Sequence, residues 1–234
     1  MRDVGRLWTD LGDLVLPVEC AGCRERRPGL RHGVCPPCVA VLDGLLPRSV
    51  RPSPAPAGLP PCVALGPYAG TLREVLLAYK DHGRHGLARP LGALLAEAVA
   101  VAVGAVRPVL LVPVPDTAAA ARARYGDHLS RLGRHCAARL RAAGWPVEVR
   151  RMLRALPRPD SVTLDSAGRA LAAEAAFRPR RRRPPVAAGA AVVVLDDIVT
   201  TGSTLAAVSR TLRATGCSPT VAVVLAATGK RHPS

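Results

Sequence analysis

The sequence predicts an α/β protein: a doubly wound parallel sheet preceded by a small cysteine-bearing module. Three observations lead there. Apolar residues make up 49% of the 234-residue chain but aromatics only 3%, so the core must be built from Val, Leu and Ala, which suits a parallel sheet covered by helices. Short apolar runs such as "PVLLVPVP" and "TVAVVLAAT" alternate with segments of helical period, the pattern of right-handed β-α-β crossovers. Two C-x2-C pairs lie near the N-terminus, apart from those runs. The length accommodates one full α/β domain and a small extra unit.

The elements follow in order. Leu7, Trp8, Leu11, Leu14 and Val15 fall at helical spacing and predict a short amphipathic helix that Pro17 ends. Cys20 and Cys23 form one pair, and Cys35 and Cys38 the other. Four thiolates at this spacing can close a tetrahedral Zn²⁺ site. A segment this short cannot build its own core, so the metal would supply its folding energy. Such a site is coordinatively full, hence structural. Cys62, Cys136 and Cys217 have no partner at metal spacing and read as core or surface thiols. Residues 46–61 are rich in Pro and Ser and lack a period, which predicts a linker and a boundary near residue 58, dividing the chain into 1–58 and 59–234.

Beyond it the reading is a strand over 62–67, helices over 71–80 and 88–103, and a buried strand over 108–115. A helix over 127–143, a strand at "VEVRRML" and a loop and helix through "PRPDSVTLDSAGRALAAEAAF" follow. The chain closes with a strand over 191–196, a helix over 203–215 and a strand over 220–228. "RPRRRRPP", residues 178–185, reads as a solvated loop, with a nucleic-acid contact as the alternative.

Net charge is +16, from 33 basic and 17 acidic residues, and Lys occurs only at 80 and 230. A GC-rich coding bias accounts for Arg replacing Lys but not for the excess of basic residues, which leaves attraction to polyanions as an expectation. Asp3, Asp10 and Asp13 interrupt any signal-like stretch. The longest apolar run, residues 98–106, falls short of the ~20 residues that span a bilayer. The expectation is a cytoplasmic protein without a membrane span, whose cysteines serve as metal ligands or free thiols.

The most informative stretch is "VVVLDDIVTTGST", residues 192–204. It reads as the end of a buried strand, two carboxylates, then a turn into a helix beginning near Ser203. Gly202 tolerates positive φ and lets backbone approach a ligand. The amides of residues 200–204 are expected to converge on one hollow at a helix N-terminus, where a phosphate is attracted. Thr200, Thr201, Ser203 and Thr204 add hydroxyl donors. The stretch is neither a Walker loop nor G-x-G-x-x-G. Asp196 and Asp197 would repel a phosphate, so they address something else. A ribose diol fits, its hydroxyls donating to the acids while the 5′-phosphate sits in the loop.

All thirteen positions resemble the phosphoribosyl-pyrophosphate (PRPP) signature of type I phosphoribosyltransferases. "LVPVPD", residues 111–116, resembles the strand and turn that hold pyrophosphate in that fold. The order of cysteine knuckle, "YAG…YK", "PVP…R" and PRPP stretch is similar to that of the ComF/GntX family of DNA-uptake-associated phosphoribosyltransferase-like proteins, over essentially the whole chain. Where that family reads Arg-Gly-aromatic-Asn-Gln, this chain has "RYGDH", so only Arg124 carries over. Leu164, Arg169 and Phe177 match a later series, but Ser161 and Ala172 stand where the family has Gln and Asn.

The resemblance implies a type I phosphoribosyltransferase fold, PRPP bound with Mg²⁺, and transfer of the phosphoribosyl group. Asp196, Asp197 and Arg124 are then the catalytic candidates, the acids orienting ribose and Arg124, with Lys80, stabilising the leaving group. Thr200, Thr201, Gly202, Ser203, Thr204, Lys80 and Arg169 are the substrate-binding candidates, Arg169 closing over the site. Two alternatives stay open: a non-catalytic protein that handles single-stranded DNA, though stacking aromatics are scarce, and a PRPP sensor without turnover. His82, His85 and His128 receive no role.

Overall fold

The computed structural model describes residues 19–123, 126–157, 176–181 and 185–229. The expected N-terminal helix, Arg124, and the segment carrying Ser161, Leu164, Arg169 and Ala172 lie outside the described residues.

A six-stranded, mostly parallel sheet organises the chain. Its strands are β1 (Arg48–Val50), β2 (Cys62–Pro67), β3 (Val109–Pro113), β4 (Val147–Val149), β7 (Ala191–Val199) and β8 (Val221–Ala227), in the order β1-β2-β8-β7-β3-β4. Only the β1–β2 pairing is antiparallel, with Arg48 opposite Ala64 and Val50 opposite Cys62. All five residues of β3 and all seven of β8 are buried, as strands covered on both faces require. β5 (Leu153–Ala155) and β6 (Phe177–Pro179) form a separate antiparallel pair. "VEVRRML" is therefore not one strand: it splits between two sheets.

The helices are α1 (Pro36–Asp43), α2 (Gly70–Lys80), α3 (Ala88–Val103), α4 (Ala118–Ala123), α5 (His128–Ala142) and α6 (Ser203–Arg213). The short α4 was not expected from the sequence. On α5 the buried residues Leu129, Leu132, Cys136, Ala137 and Leu140 recur at helical spacing. Asp127 caps it, its Oδ1 accepting from the Ser130 amide at 2.8 Å. α3 packs against α5, β8 and β2. The helical stretch His85–Val103 is the one among the described residues long and apolar enough to cross a membrane, and here Leu91, Leu95 and Val99 are buried in the core.

Two differences from the sequence reading bear on the site. β7 does not end at the acids but runs on to Val199, because β8 continues beside it, pairing Ile198 with Ala226 and Val199 with Ala227. The carboxylates thus belong to the interior of a central strand. Residues 46–61, read as a linker, contribute β1 to the sheet. The arginines of α6 hold the rest of that segment: Arg210 donates to the Ala57 carbonyl at 2.6 Å and Arg213 to that of Gly58 at 2.8 Å. Prolines suppress any period in the sequence, yet a three-residue edge strand and two captured carbonyls suffice to lay the segment down.

The packing of α3 against α5 at Gly92 is tight. A Cβ on Gly92 would lie 2.5 Å from the Cβ of His135 and 3.1 Å from the Cys136 amide nitrogen, so α3 and α5 would have to separate. Gly92→Ala should cost about 1–3 kcal/mol by overpacking, lowering Tm by about 2–4 °C per kcal/mol. An unchanged Tm in thermal denaturation would refute this account of the interface.

Candidate functional site

The chain leaves β3 towards β4 on one side and leaves β7 towards β8 on the other, although β3 and β7 are neighbours. Such a reversal opens a crevice at the carboxyl ends of the two strands, where open α/β sheets bind ligands. A cavity of about 500 Å³ lies there. The β3 exit contributes Val114, Pro115 and Asp116, and β7 contributes Asp196, Asp197 and Ile198. Lys80 enters from the end of α2, His128 from the start of α5, and Thr200 and Thr204 from the following turn and helix. Two of the sequence candidates from distant segments, Lys80 and Asp197, are brought together. Arg124 and Arg169 lie outside the described residues.

A chain of charged contacts joins these elements. Asp197 Oδ2 accepts from Lys80 Nζ at 2.6 Å and contacts His128 Nε2 at 3.0 Å. His128 Nδ1 meets Asp116 Oδ2 at 2.6 Å. The His128 carbonyl accepts from the Tyr79 hydroxyl at 2.8 Å. Asp196 Oδ1 accepts from the Asp197 amide at 2.9 Å. Both β7 carboxylates are nearly covered, at 8% exposure for Asp196 and 5% for Asp197.

Burial and pairing give the groups different charge states. Burial opposes charge on His128, but the hydrogen bonds to Asp116 and Asp197 outweigh it and raise the imidazole to about 9. Burial would also raise Asp197, yet His128 and Lys80 hold it below the usual carboxylate range. Among the described residues, Lys80 and His128 contact Asp197 and not Asp196. Burial, then the charge of Asp197, push Asp196 up to about 8 against the opposing pull of Lys80 and His128, which favours its protonated form. The two acids are thus pushed in opposite directions, Asp197 towards an ionised acceptor and Asp196 towards a neutral acid. Lys80, expected to face a leaving group, is engaged with Asp197.

The turn after β7 is also more divided than its sequence suggests. Gly202 sits at φ 77°, the left-handed region, and precedes α6. A Cβ there would come within 3.1 Å of Leu59 and 3.2 Å of Pro52. Thr200 and Thr204 line the cavity of the carboxylates. Thr201 and Ser203, whose hydroxyls lie 3.0 Å apart, line a second groove of about 840 Å³ with Arg48, Arg51 and Thr228. Thr200 borders both. The hydroxyls thus serve two hollows that share a wall, not one.

His128, which sequence reasoning passes over, is part of this candidate site. Its partners are 12 and 69 residues away. The available signal was local: a histidine directly after an aspartate at a helix start, downstream of "VPVPD".

The four N-terminal cysteines do converge. The sulfur atoms of Cys20, Cys23, Cys35 and Cys38 all lie within 4.8 Å of one another. A tetrahedral zinc with Zn–S bonds of about 2.3 Å has edges of about 3.8 Å, and Cys23 Sγ to Cys35 Sγ is 3.8 Å. Amides of Gly22 and Cys35 donate to Cys20 Sγ at 3.3 and 3.2 Å, as they would to a thiolate ligand. Burial, then the neighbouring thiols, push Cys38 up to about 12, so four thiolates here require a cation. The donor set fits structural Zn²⁺. Arg24, just past the first pair, takes φ 63° to turn the chain back.

The chain matches no family model and no curated protein.

Two predictions follow from the site. Chelation should release one Zn²⁺ per chain and lower Tm by on the order of 10 °C or more, since metal binding free energy is folding free energy here; metal analysis with thermal denaturation checks it, and an unaltered Tm after metal loss would refute it. The raised His128 and Asp196 groups contribute stability that is full below their unfolded values. It is lost as pH climbs through about 8 for Asp196 and about 9 for His128. The wild-type Tm should therefore fall from pH 7 to pH 10, whereas Asp196→Asn, with no carboxyl proton to lose, should show a shallower fall.

Proposed function

We propose that this chain binds a ribose 5-phosphate group, in the form of PRPP with Mg²⁺, and transfers its phosphoribosyl unit to an acceptor, as a member of the ComF/GntX type of phosphoribosyltransferase-like protein. The observation that carries the reading is the position of the thirteen-residue stretch. Its acids and part of its hydroxyl turn line one cavity at the reversal of strand order, facing the turn that follows "LVPVP". The strand order, with its reversal between β3 and β7, supports a doubly wound sheet of the phosphoribosyltransferase kind.

In this reading Asp197 accepts from a ribose hydroxyl, while Asp196, protonated, can both donate and accept. The hydroxyls and amides around Gly202 receive the 5′-phosphate. Mg²⁺ would neutralise pyrophosphate charge. The C1–O bond to pyrophosphate breaks, the acceptor bonds to C1, and the acceptor's proton is lost. A second reading, binding without turnover, draws on the engagement of Lys80 with Asp197, which leaves that cation less available to a leaving group.

Calorimetry with PRPP and Mg²⁺ tests the proposal. The wild type should bind saturably. Asp197→Asn should bind at least about tenfold more weakly, the scale of a hydrogen bond to a charged group. Asp196→Asn, which keeps a donor and an acceptor, should stay within a few-fold of wild type. Equal affinity for wild type and Asp197→Asn, or no saturable binding by wild type, would refute it. Pyrophosphate release with acceptor bases present separates transfer from sensing.

A further inference from the structure

We propose that His128 is a positioning residue for Asp197: bridging Asp116 and Asp197, it fixes one carboxylate oxygen of Asp197 and leaves the other to the ligand. The inference rests on the ligand reading above for its second half only; the bridge itself stands on the geometry.

Both ring nitrogens of His128 are within hydrogen-bond distance of carboxylates, Nδ1 of Asp116 and Nε2 of Asp197. Neither nitrogen is left for a substrate, so His128 is not a general base. Both nitrogens facing carboxylate oxygens is the arrangement of an imidazolium, which donates twice. The contacts of Lys80 and His128 fall on the same atom, Asp197 Oδ2. That leaves Oδ1 as the oxygen the proposal assigns to the ligand, on a residue that lines the cavity. A single cation at Oδ2 would leave the carboxylate free to swing about its χ2 bond. Two cations from different elements, α2 and α5, remove that freedom and preorganise the acceptor.

The surroundings of the ring are charged on several sides. α2 supplies Lys80 and Tyr79, whose ring meets that of His128 edge-on with centroids 6.3 Å apart. The β3 exit supplies Asp116, and β7 supplies Asp196 and Asp197. α5 itself carries Arg131, which acts on Tyr79. Asp127, beside His128, is engaged with Ser130 and with Arg151 at 2.9 Å. Two carboxylates contact the imidazole, and among the described residues no cation does, so the ring keeps its proton well above the ordinary histidine range.

Two measurements test this. In ligand-free protein, imidazole NMR should show His128 carrying protons on both nitrogens at pH 8, both slow to exchange; a neutral ring titrating near 6.5 would overturn the proposal. In calorimetry, His128→Gln should weaken PRPP–Mg²⁺ binding about tenfold at pH 7, the scale of a lost charge-assisted hydrogen bond. Wild-type affinity should fall as pH rises through about 9, whereas His128→Gln should lack that step. Asp116→Asn, a milder change, should keep the fold and move the step to lower pH. A His128→Gln protein with wild-type affinity and an unaltered pH profile would overturn the proposal, and a loss of Tm alone would mark the histidine as merely structural, which also overturns it. If the wild type binds no PRPP, the ligand reading fails, and the NMR result alone upholds or overturns the bridge.

Discussion

An ionised carboxylate in the middle of a parallel sheet must find cations, because little water reaches it and no neighbouring strand can supply one. Asp197 is that carboxylate. Its partners come from outside the sheet, Lys80 from the last turn of α2 and His128 from the first turn of α5. Each is set by ordinary local structure. Asp127 caps α5 and so fixes where His128 enters. The Tyr79 hydroxyl, one residue before Lys80, ties the end of α2 to the His128 carbonyl. The ends of two helices, the exit of β3 and the interior of β7 are thereby joined by one anion.

The same constraint gives the cysteine module a bearing on the site. The module contacts the first half of α2 and the loop that follows it. Gly22 packs so closely against Thr71 that a Cβ would lie 2.9 Å from that side chain and 2.8 Å from Cys38 Sγ. Arg24 pairs with Glu74. Arg84, in the loop after α2, donates to the Glu19 carbonyl at 2.7 Å. The module therefore braces the helix whose last turn presents Tyr79 and Lys80. Its buried residues Val34, Cys35, Cys38 and Leu42 are continuous with the main core, so a metal that orders four thiolates also orders one wall of the cavity.

Much of this was legible in the sequence where patterns are long. β2, α3 and β8 lie within a residue of their expected bounds, because continuous apolar runs and helical periods of that length have few other solutions. The cysteine cluster was legible from spacing alone. What escaped was set by neighbours. β7 runs three residues past its expected end because β8 is there to pair with it. β4 and β5 are three residues each, too short for periodicity to separate. β1 lies in a proline-rich stretch whose place depends on the arginines of α6. His128 acquires its meaning only from Asp116 and Asp197, and no local pattern announces a contact across 69 residues.

The twin acids show the limit most clearly. As letters they are identical neighbours, and the sequence invites one role for both. Both acids line one cavity, but only Asp197 contacts Lys80 and His128, so identical chemistry meets different surroundings. Asp197 meets Lys80 and His128 and is held towards its charged form. Asp196 meets burial and the field of its neighbour, which favour its protonated form. The two states are coupled: the charge on Asp197 raises Asp196, while Lys80 and His128 pull it the other way and burial prevails. On the ribose reading the pair then presents an acceptor beside a donor, which matches two hydroxyls better than two acceptors would, since a neutral acid can receive a hydrogen bond from one hydroxyl and return one to the next. A phosphate is repelled by Asp197 at that end and is left to the glycine turn. The polarity of the proposed ligand along the cavity is thus set by which of two adjacent aspartates the helices α2 and α5 reach.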